Sequence, residues 1–219
     1  MKSTQIVGII LILISLSSCN FSHRGDVISN YDKYHLKSKA HLVHDYPAIN
    51  SDGSINVIIE IPAGTAAKWE VHKESGDLKW EFKNNKARIV NYLAYPANYG
   101  MIPQTILPKE LGGDGDPLDV IVLGPALARG SHIEARLIGM LKLLDGGEQD
   151  DKCLAVTPNS SFSHIHSIDE LNQQYPGVLQ IIELWFSHYK GPNKMAAKGF
   201  VGPDKAYHIL QESISAYKQ

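Results

Sequence analysis

Apolar and polar positions alternate with strand-like period over most of the middle of the chain, and take up helical spacing only near its end. The run Ile55-Asn56-Val57-Ile58-Ile59-Glu60-Ile61 is rich in β-branched residues and stops at Pro62 and Gly64, which predicts a strand. Lys68-Trp69-Glu70-Val71-His72 alternates strictly, so Lys68, Glu70 and His72 share one face while Trp69 and Val71 take the other. Residues 78–82 and 87–92 predict a meander turning at Asn84-Asn85-Lys86. Residues 120–123 form an uninterrupted apolar run of the buried-strand kind, and the longer run 133–144 returns through 153–156. Ser167-Ile168-Asp169-Glu170 is a capping box that opens a short helix closed by Pro176-Gly177. Val178, Ile181, Ile182, Trp185 and Tyr189 give the next helix an apolar stripe; Ala206, Ile209, Leu210, Ile214 and Tyr217 give one to a C-terminal helix.

Composition adds limits to this picture. With 219 residues and 43% apolar content the chain can bury one sizeable core, and no internal repeat points to a second. Its 21 basic and 23 acidic residues leave no polycationic surface, which argues against nucleic acid held by phosphate neutralisation. At the N-terminus Lys2 precedes an apolar run over residues 6–16, too short for a finished transmembrane helix, and then Leu16-Ser17-Ser18-Cys19. That order is a secretory signal, and its end resembles the bacterial lipobox, in which Cys19 is acylated and becomes the mature N-terminus. Asn20 after Cys19 resembles the outer-membrane sorting pattern. The expected organisation is a signal peptide over 1–19, a polar tether over 20–40 and a folded domain over 41–219. Only Cys153 remains after processing, so no intramolecular disulfide forms and it reads as a core thiol.

Candidate chemistry centres on Asp114-Gly115-Asp116-Pro117-Leu118-Asp119, three carboxylates in six residues at the mouth of a predicted strand. Asp-Gly and Asp-Pro pairs are common turn formers, and taken alone the stretch reads as a turn before it reads as a metal site. An EF-hand would need Gly and Glu where the chain has Asp119 and Pro125. Lys68 and Glu70 alone read as a charged strand face, and Asp145, Asp150 and Lys152 as a solvated hairpin tip. Tyr95 and Tyr99 flank a Pro/Gly loop, and Tyr189-Lys190 ends the striped helix, where a Lys also complements the helix dipole. His164 and His166 are not assigned a metal.

Taken together, Glu60-Ile61-Pro62, Lys68-Trp69-Glu70, Tyr95 to Tyr99, Asp114 to Val120, Asp145 to Lys152 and Tyr189-Lys190 resemble, in order, the motifs of family I inorganic pyrophosphatases. The resemblance implies a mainly β fold with flanking helices, built on an OB-like five-stranded barrel. It implies Mg²⁺-dependent hydrolysis of pyrophosphate by a metal-activated water, several ions per site, and a homo-oligomer. Asp116 would be the general base and one of the metal ligands with Glu60, Asp114, Asp119, Asp145 and Asp150. Lys68, Arg88, Tyr95, Tyr99, Lys152, Tyr189 and Lys190 would bind phosphate, and Glu70 would orient its neighbours. Two rival readings are a related metal phosphohydrolase acting on nucleotides or polyphosphate, and a non-catalytic OB-type binding module. The family is typically cytosolic, whereas this chain carries an export and lipid-anchor signal.

Overall fold

The computed structural model describes residues 29–219 apart from 108, 110 and 111. The signal sequence, Cys19 and residues 20–28 of the expected tether lie outside the described residues. The chain runs through β1 (Ser29–Asp32), β2 (His35–Lys37), β3 (Ile55–Ile61), β4 (Trp69–Val71), β5 (Leu78–Trp80), β6 (Phe82–Lys83), β7 (Lys86–Ala87), β8 (Asn98–Met101), β9 (Asp119–Leu123), β10 (His132–Asp145), β11 (Glu148–Gln149) and β12 (Lys152–Val156). It ends with α1 (Ile168–Gln174), α2 (Val178–His188), β13 (Met195–Val201) and α3 (Pro203–Tyr217).

Five of these strands close on themselves. β3 pairs with β8, β8 with β9, β9 with β12, β12 with β10, and β10 returns to β3; β9 and β12 run parallel and the other pairs antiparallel. The result is the expected OB-like barrel, in which no barrel strand is left with an open edge. β10 closes it because its 14 residues serve four neighbours: 132–135 pair with β3, 136–141 with β12, 140–145 with β13 and 144–145 with β11. The register shifts between Leu137 and Gly139, and Gly139 sits at φ 157° where a Cβ would come within 2.4 Å of Ile168 on α1. Glycine there lets the strand bend under the helix. Every residue of β3 is buried, because one side of the barrel wall faces its interior and the other is covered. α1 and α2 cover one side with Leu171, Leu179, Ile182, Trp185 and Phe186; α3 covers another with Ala206, Ile209 and Leu210.

A small sheet, in the order β1-β2-β5-β4, rests on Leu42, Val43, Ile58, Trp69, Leu78 and Met101. Its first two strands correct the expected tether: residues 29–37 are folded, with Leu36 opposite Leu78 and His35 opposite Lys79. Their polar composition hid a short edge hairpin that packs Leu36 on the small core and the Tyr34 ring of its turn against Trp80 and Phe82. The meander is also shorter than expected. β6 and β7 turn at Asn84 (φ 53°) and Asn85 (φ 60°), a type I′ pair of left-handed residues. Beyond Ala87 the chain is held to residues 66–68 by only two backbone bonds, Lys68 N–H to Arg88 O at 3.0 Å and Val90 N–H to Ala66 O at 2.8 Å. It then leaves to meet α2, where Trp185 Nε1 donates to Leu93 O at 2.9 Å.

Two further differences concern the end of the chain. β13 is absent from the sequence reading, since Met195-Ala196-Ala197-Lys198-Gly199-Phe200-Val201 is rich in residues that seldom favour strands; it forms because β10 runs on past its pairing with β3 and β13 covers the edge of residues 140–145. On α2 the buried positions are Leu179, Ile182, Trp185 and Phe186, so the stripe is rotated from the expected one and Ile181 is 59% exposed.

Candidate active site

Strand ends build the site. Asp119 is the first residue of β9 and Lys152 the first of β12, and the parallel register sets them directly opposite each other. Asp145 is the last residue of β10, Glu60 lies one residue from the end of β3, and Tyr99 is on β8. These groups therefore gather at one end of the barrel, around a cleft of about 600 Å³. The small sheet adds Lys68 and Glu70, the hairpin base adds Arg88, and the end of α2 adds Tyr189 and Lys190.

The cleft brings together thirteen of the fourteen expected site residues of the folded domain. The exception is Tyr95, which is buried behind the wall rather than lining it. Its ring lies 4.4 Å from that of Trp185 and 5.3 Å from that of Tyr99, measured between centroids. Its ring packs among aromatics, while burial raises its phenol above the ordinary value and the nearby Lys68 opposes that shift, so its hydroxyl belongs to the same charged neighbourhood as the cleft. The cleft also contains residues not expected from the sequence, among them Lys73 and Glu81. The Glu81 carboxylate pairs with the Arg88 guanidinium at 2.6 Å, and the Glu81 backbone carbonyl accepts from Arg88 N–H at 2.8 Å. The Asn-Asn turn predicts this opposition, since it sets 81 and 88 across from each other. Lys73 falls outside the Lys68/Glu70/His72 alternation because β4 ends at Val71, and the following turn swings it towards Gly115, whose carbonyl accepts from its Nζ at 3.0 Å.

Charge in the cleft is unbalanced. Nine carboxylates line it against five Lys and Arg side chains. The lysines are shared out among the acids: Lys152 donates to Asp119 and Asp150, each at 2.5 Å, Lys190 pairs with Asp145, and Lys73 with Asp116. Glu60 is held differently: its Oε1 accepts from Val71 N–H at 2.7 Å, and burial pushes its carboxyl up to about 8, with Asp119 adding to the shift and Lys68 opposing it. Burial also raises Asp114 and Asp150 above their ordinary value. Tyr99 is held well above the usual phenol range by burial and by Asp119 and Asp150, and Tyr189 is raised chiefly by burial, so both keep their protons.

This donor set fits a hard divalent cation. All the candidate ligands are carboxylate oxygens, more numerous than the cations present, and those raised by burial are the ones a positive ion would relieve. Among the described residues no three acidic, His or Cys side chains already form a closed cage. An open set of carboxylates suits Mg²⁺, which binds through a few of them and keeps several waters.

The same architecture and chain are shared with known proteins. A family model described as inorganic pyrophosphatase matches residues 57–218. A protein of Gluconobacter oxydans named inorganic pyrophosphatase is 38% identical over 179 residues, which cover 78% of this chain and 96% of that one. The solved inorganic pyrophosphatase of Helicobacter pylori superposes with a TM-score of 0.68 at 33% identity, covering 80% of this chain and all of its own. That of Schistosoma japonicum superposes with a TM-score of 0.79 at 27% identity, over 89% of this chain and 78% of its own.

Proposed function

This chain belongs to the inorganic pyrophosphatase family and is a Mg²⁺-dependent diphosphatase, and we propose that the cleft at the end of its barrel hydrolyses pyrophosphate with Asp116 as the general base. The observation that supports this site is the convergence of Asp114, Asp116, Asp119, Asp145 and Asp150 with Lys68, Arg88, Lys152 and Lys190 in one cavity. Carboxylates alone would suit a cation store and basic residues alone an anion site; both together suit a metal-bound polyanion.

Glu60, Asp114, Asp116, Asp119, Asp145 and Asp150 would hold the Mg²⁺ ions. When bound, Mg²⁺ supplies Lewis acidity that polarises phosphoryl oxygens and lowers the pKa of water. The chain's own part is to set fixed donors around the phosphate. Lys152 and Lys190, held by carboxylates in the structure, would offer their remaining donors to phosphate oxygens. Tyr99 and Tyr189, kept as phenols, donate hydrogen bonds to the same phosphate. Arg88, fixed by Glu81, presents its remaining donors in a set plane. Asp116 is the carboxylate best placed to take a proton from the attacking water, since its side chain is 53% exposed and it sits on a loop at the mouth of the cleft. Fixed cations then stabilise the charge that develops on the leaving phosphate.

Phosphate release from pyrophosphate by the full chain with Mg²⁺, beside an Asp116→Asn variant, tests this. No release from the parent sinks the enzyme claim, and undiminished release from the variant removes Asp116 from its role. Faster turnover of nucleoside triphosphate or polyphosphate than of pyrophosphate would favour the related-phosphohydrolase reading.

The N-terminal sequence supports export and acylation at Cys19, with Asn20 favouring the outer membrane or its periplasmic face. Cell fractionation of Cys19→Ala decides: retention in the membrane fraction equal to that of the parent removes acylation as the anchor. Homo-oligomer formation draws support from apolar side chains left at the surface, Ile181 at 59% and Leu184 at 62% exposed on α2. Sedimentation that returns the mass of one chain would end that reading.

A further inference from the structure

The β6–β7 hairpin carries a feature that catalysis does not use. Lys83 and Lys86 are register partners across its type I′ turn, so two like charges face each other at the tip. Directly opposed like charges destabilise a strand pair unless something else compensates them. Beside them Phe82 is 50% exposed, its ring 5.0 Å edge-on from that of Tyr34 in the β1–β2 turn, and Lys33 Nζ lies 4.6 Å above the same Tyr34 ring. The neighbouring carboxylates are already engaged: Asp32 accepts from Tyr34 N–H at 2.6 Å, and Glu81 holds Arg88. The corner therefore presents an aromatic ring among three lysines.

Its position in the chain says what it meets. β1 begins at Ser29, and nine residues separate it from Cys19. Fully extended, such a segment spans on the order of 30 Å. A lipid on Cys19 thus holds the β1–β2 turn, and with it Phe82, close to the bilayer.

We propose that the corner formed by Lys33, Tyr34, Phe82, Lys83 and Lys86 docks on anionic phospholipid headgroups, fixing the orientation of the enzyme on its membrane. The proposal rests on the lipid-anchor reading for its geometry. Lysines close to an anionic leaflet are each attracted to it, and a half-exposed aromatic between them enters the headgroup layer. Because Glu81 and Arg88 form the base of the same hairpin and line the cleft, docking sets that part of the cleft's rim near the membrane.

The test uses the full acylated chain in vesicles of phosphatidylcholine with or without phosphatidylglycerol. A polarity-sensitive fluorophore is placed at Lys83→Cys, and in a control at Lys205→Cys in the first turn of α3; the native Cys153 is buried and does not compete. Lipid-borne quenchers are expected to quench the label at 83 more than that at 205 in phosphatidylglycerol vesicles, and the difference is expected to fall with added salt. Adding Lys33→Glu and Lys86→Glu abolishes the difference while pyrophosphate turnover in solution is unchanged. Equal quenching at 83 and 205 in anionic vesicles overturns the proposal, as does a difference that ignores lipid charge. Fractionation of Cys19→Ala reads the anchor separately: a failed anchor with strong quenching at 83 leaves the docking surface standing, and a sound anchor without quenching removes it. If the glutamate variants instead lose polyphosphate binding with quenching unchanged, the lysines serve a soluble polyanion and the membrane assignment falls.

Discussion

Lys152 on the floor of the cleft and Lys73 on its rim make the same kind of contact in opposite surroundings. Lys152 is 2% exposed, begins a barrel strand and divides its charge between Asp119 and Asp150. Lys73 is 54% exposed, stands in a turn and meets Asp116, which is about as exposed as itself. Water screens the rim pair and supplies other partners when it opens, whereas an unpaired group on the floor has no such relief. The floor therefore holds charge in place, and the rim lets charge move. A base that must collect a proton and release it belongs on the rim; a cation that must hold several acids together belongs on the floor.

The largest effect is expected at the rim, and on rate alone. Asp116→Asn should lower kcat for pyrophosphate by roughly 10²–10⁴-fold and shift unfolding free energy by no more than about 0.5 kcal/mol. A loss of stability that matches the loss of rate would mean that the rim is structural as well, and the contrast with the floor would collapse.

The converse holds for Lys152→Met. Removing the cation leaves two carboxylates facing each other where solvent reaches them only in part, so chelator-treated protein should lose roughly 3 kcal/mol of stability in denaturant titration. Adding Mg²⁺ should restore part of it, since the ion meets the same two acids. A variant as stable as the parent without metal would show that the floor pair carries little of the fold.

The pH dependence of the metal-free protein probes the floor more gently. Glu60 has an ordinary value of 4.5 and is pushed up to about 8 in the fold, so between those limits the folded state holds a proton that the unfolded state releases. Stability contributed by this group is fully present below 4.5 and falls as pH rises towards 8, at up to about 1.4 kcal/mol per pH unit. Glu60→Gln keeps an oxygen for the Val71 amide and should flatten the slope. An unchanged slope in thermal melts with chelator would assign the effect to Asp114 or Asp150, which burial raises in the same direction.

The floor was also the more legible of the two in the sequence. Strand-forming runs announced β3, β9, β10 and β12, and since the acids and Lys152 sit at the ends of those runs, finding the strands located the charges. The rim depends on turns. Lys73 is placed by the end of β4 and the chain reversal at 72–76, which strand alternation does not reach. Tyr95 depends on tertiary packing in a related way: a tyrosine in a loop suits both phosphate and a ring cluster, and the position of α2 sets its ring among aromatics while its phenol stays beside the charges of the cleft. β1 and β2 carry too little apolar surface to signal a fold, and become visible only against β5.

The smallest effect expected is the coupling between Lys73 and Asp116 themselves. Both side chains are more than half exposed, so a double-mutant cycle with Lys73→Ala and Asp116→Asn should give about 0.2–1 kcal/mol of interaction in unfolding free energy, declining as salt is added. The matching cycle for Lys152→Met and Asp150→Asn should give a stronger coupling that salt barely changes, because solvent reaches neither group freely. Equal coupling at the two sites would mean that burial does not separate them, and the exposed position of Asp116 would lose its value as a reason for choosing it over Asp114 or Asp119 as the base. A weak, salt-sensitive rim pair beside a strong, salt-insensitive floor pair would instead leave Asp116 as the acid whose partner is readily given up when substrate and metal arrive.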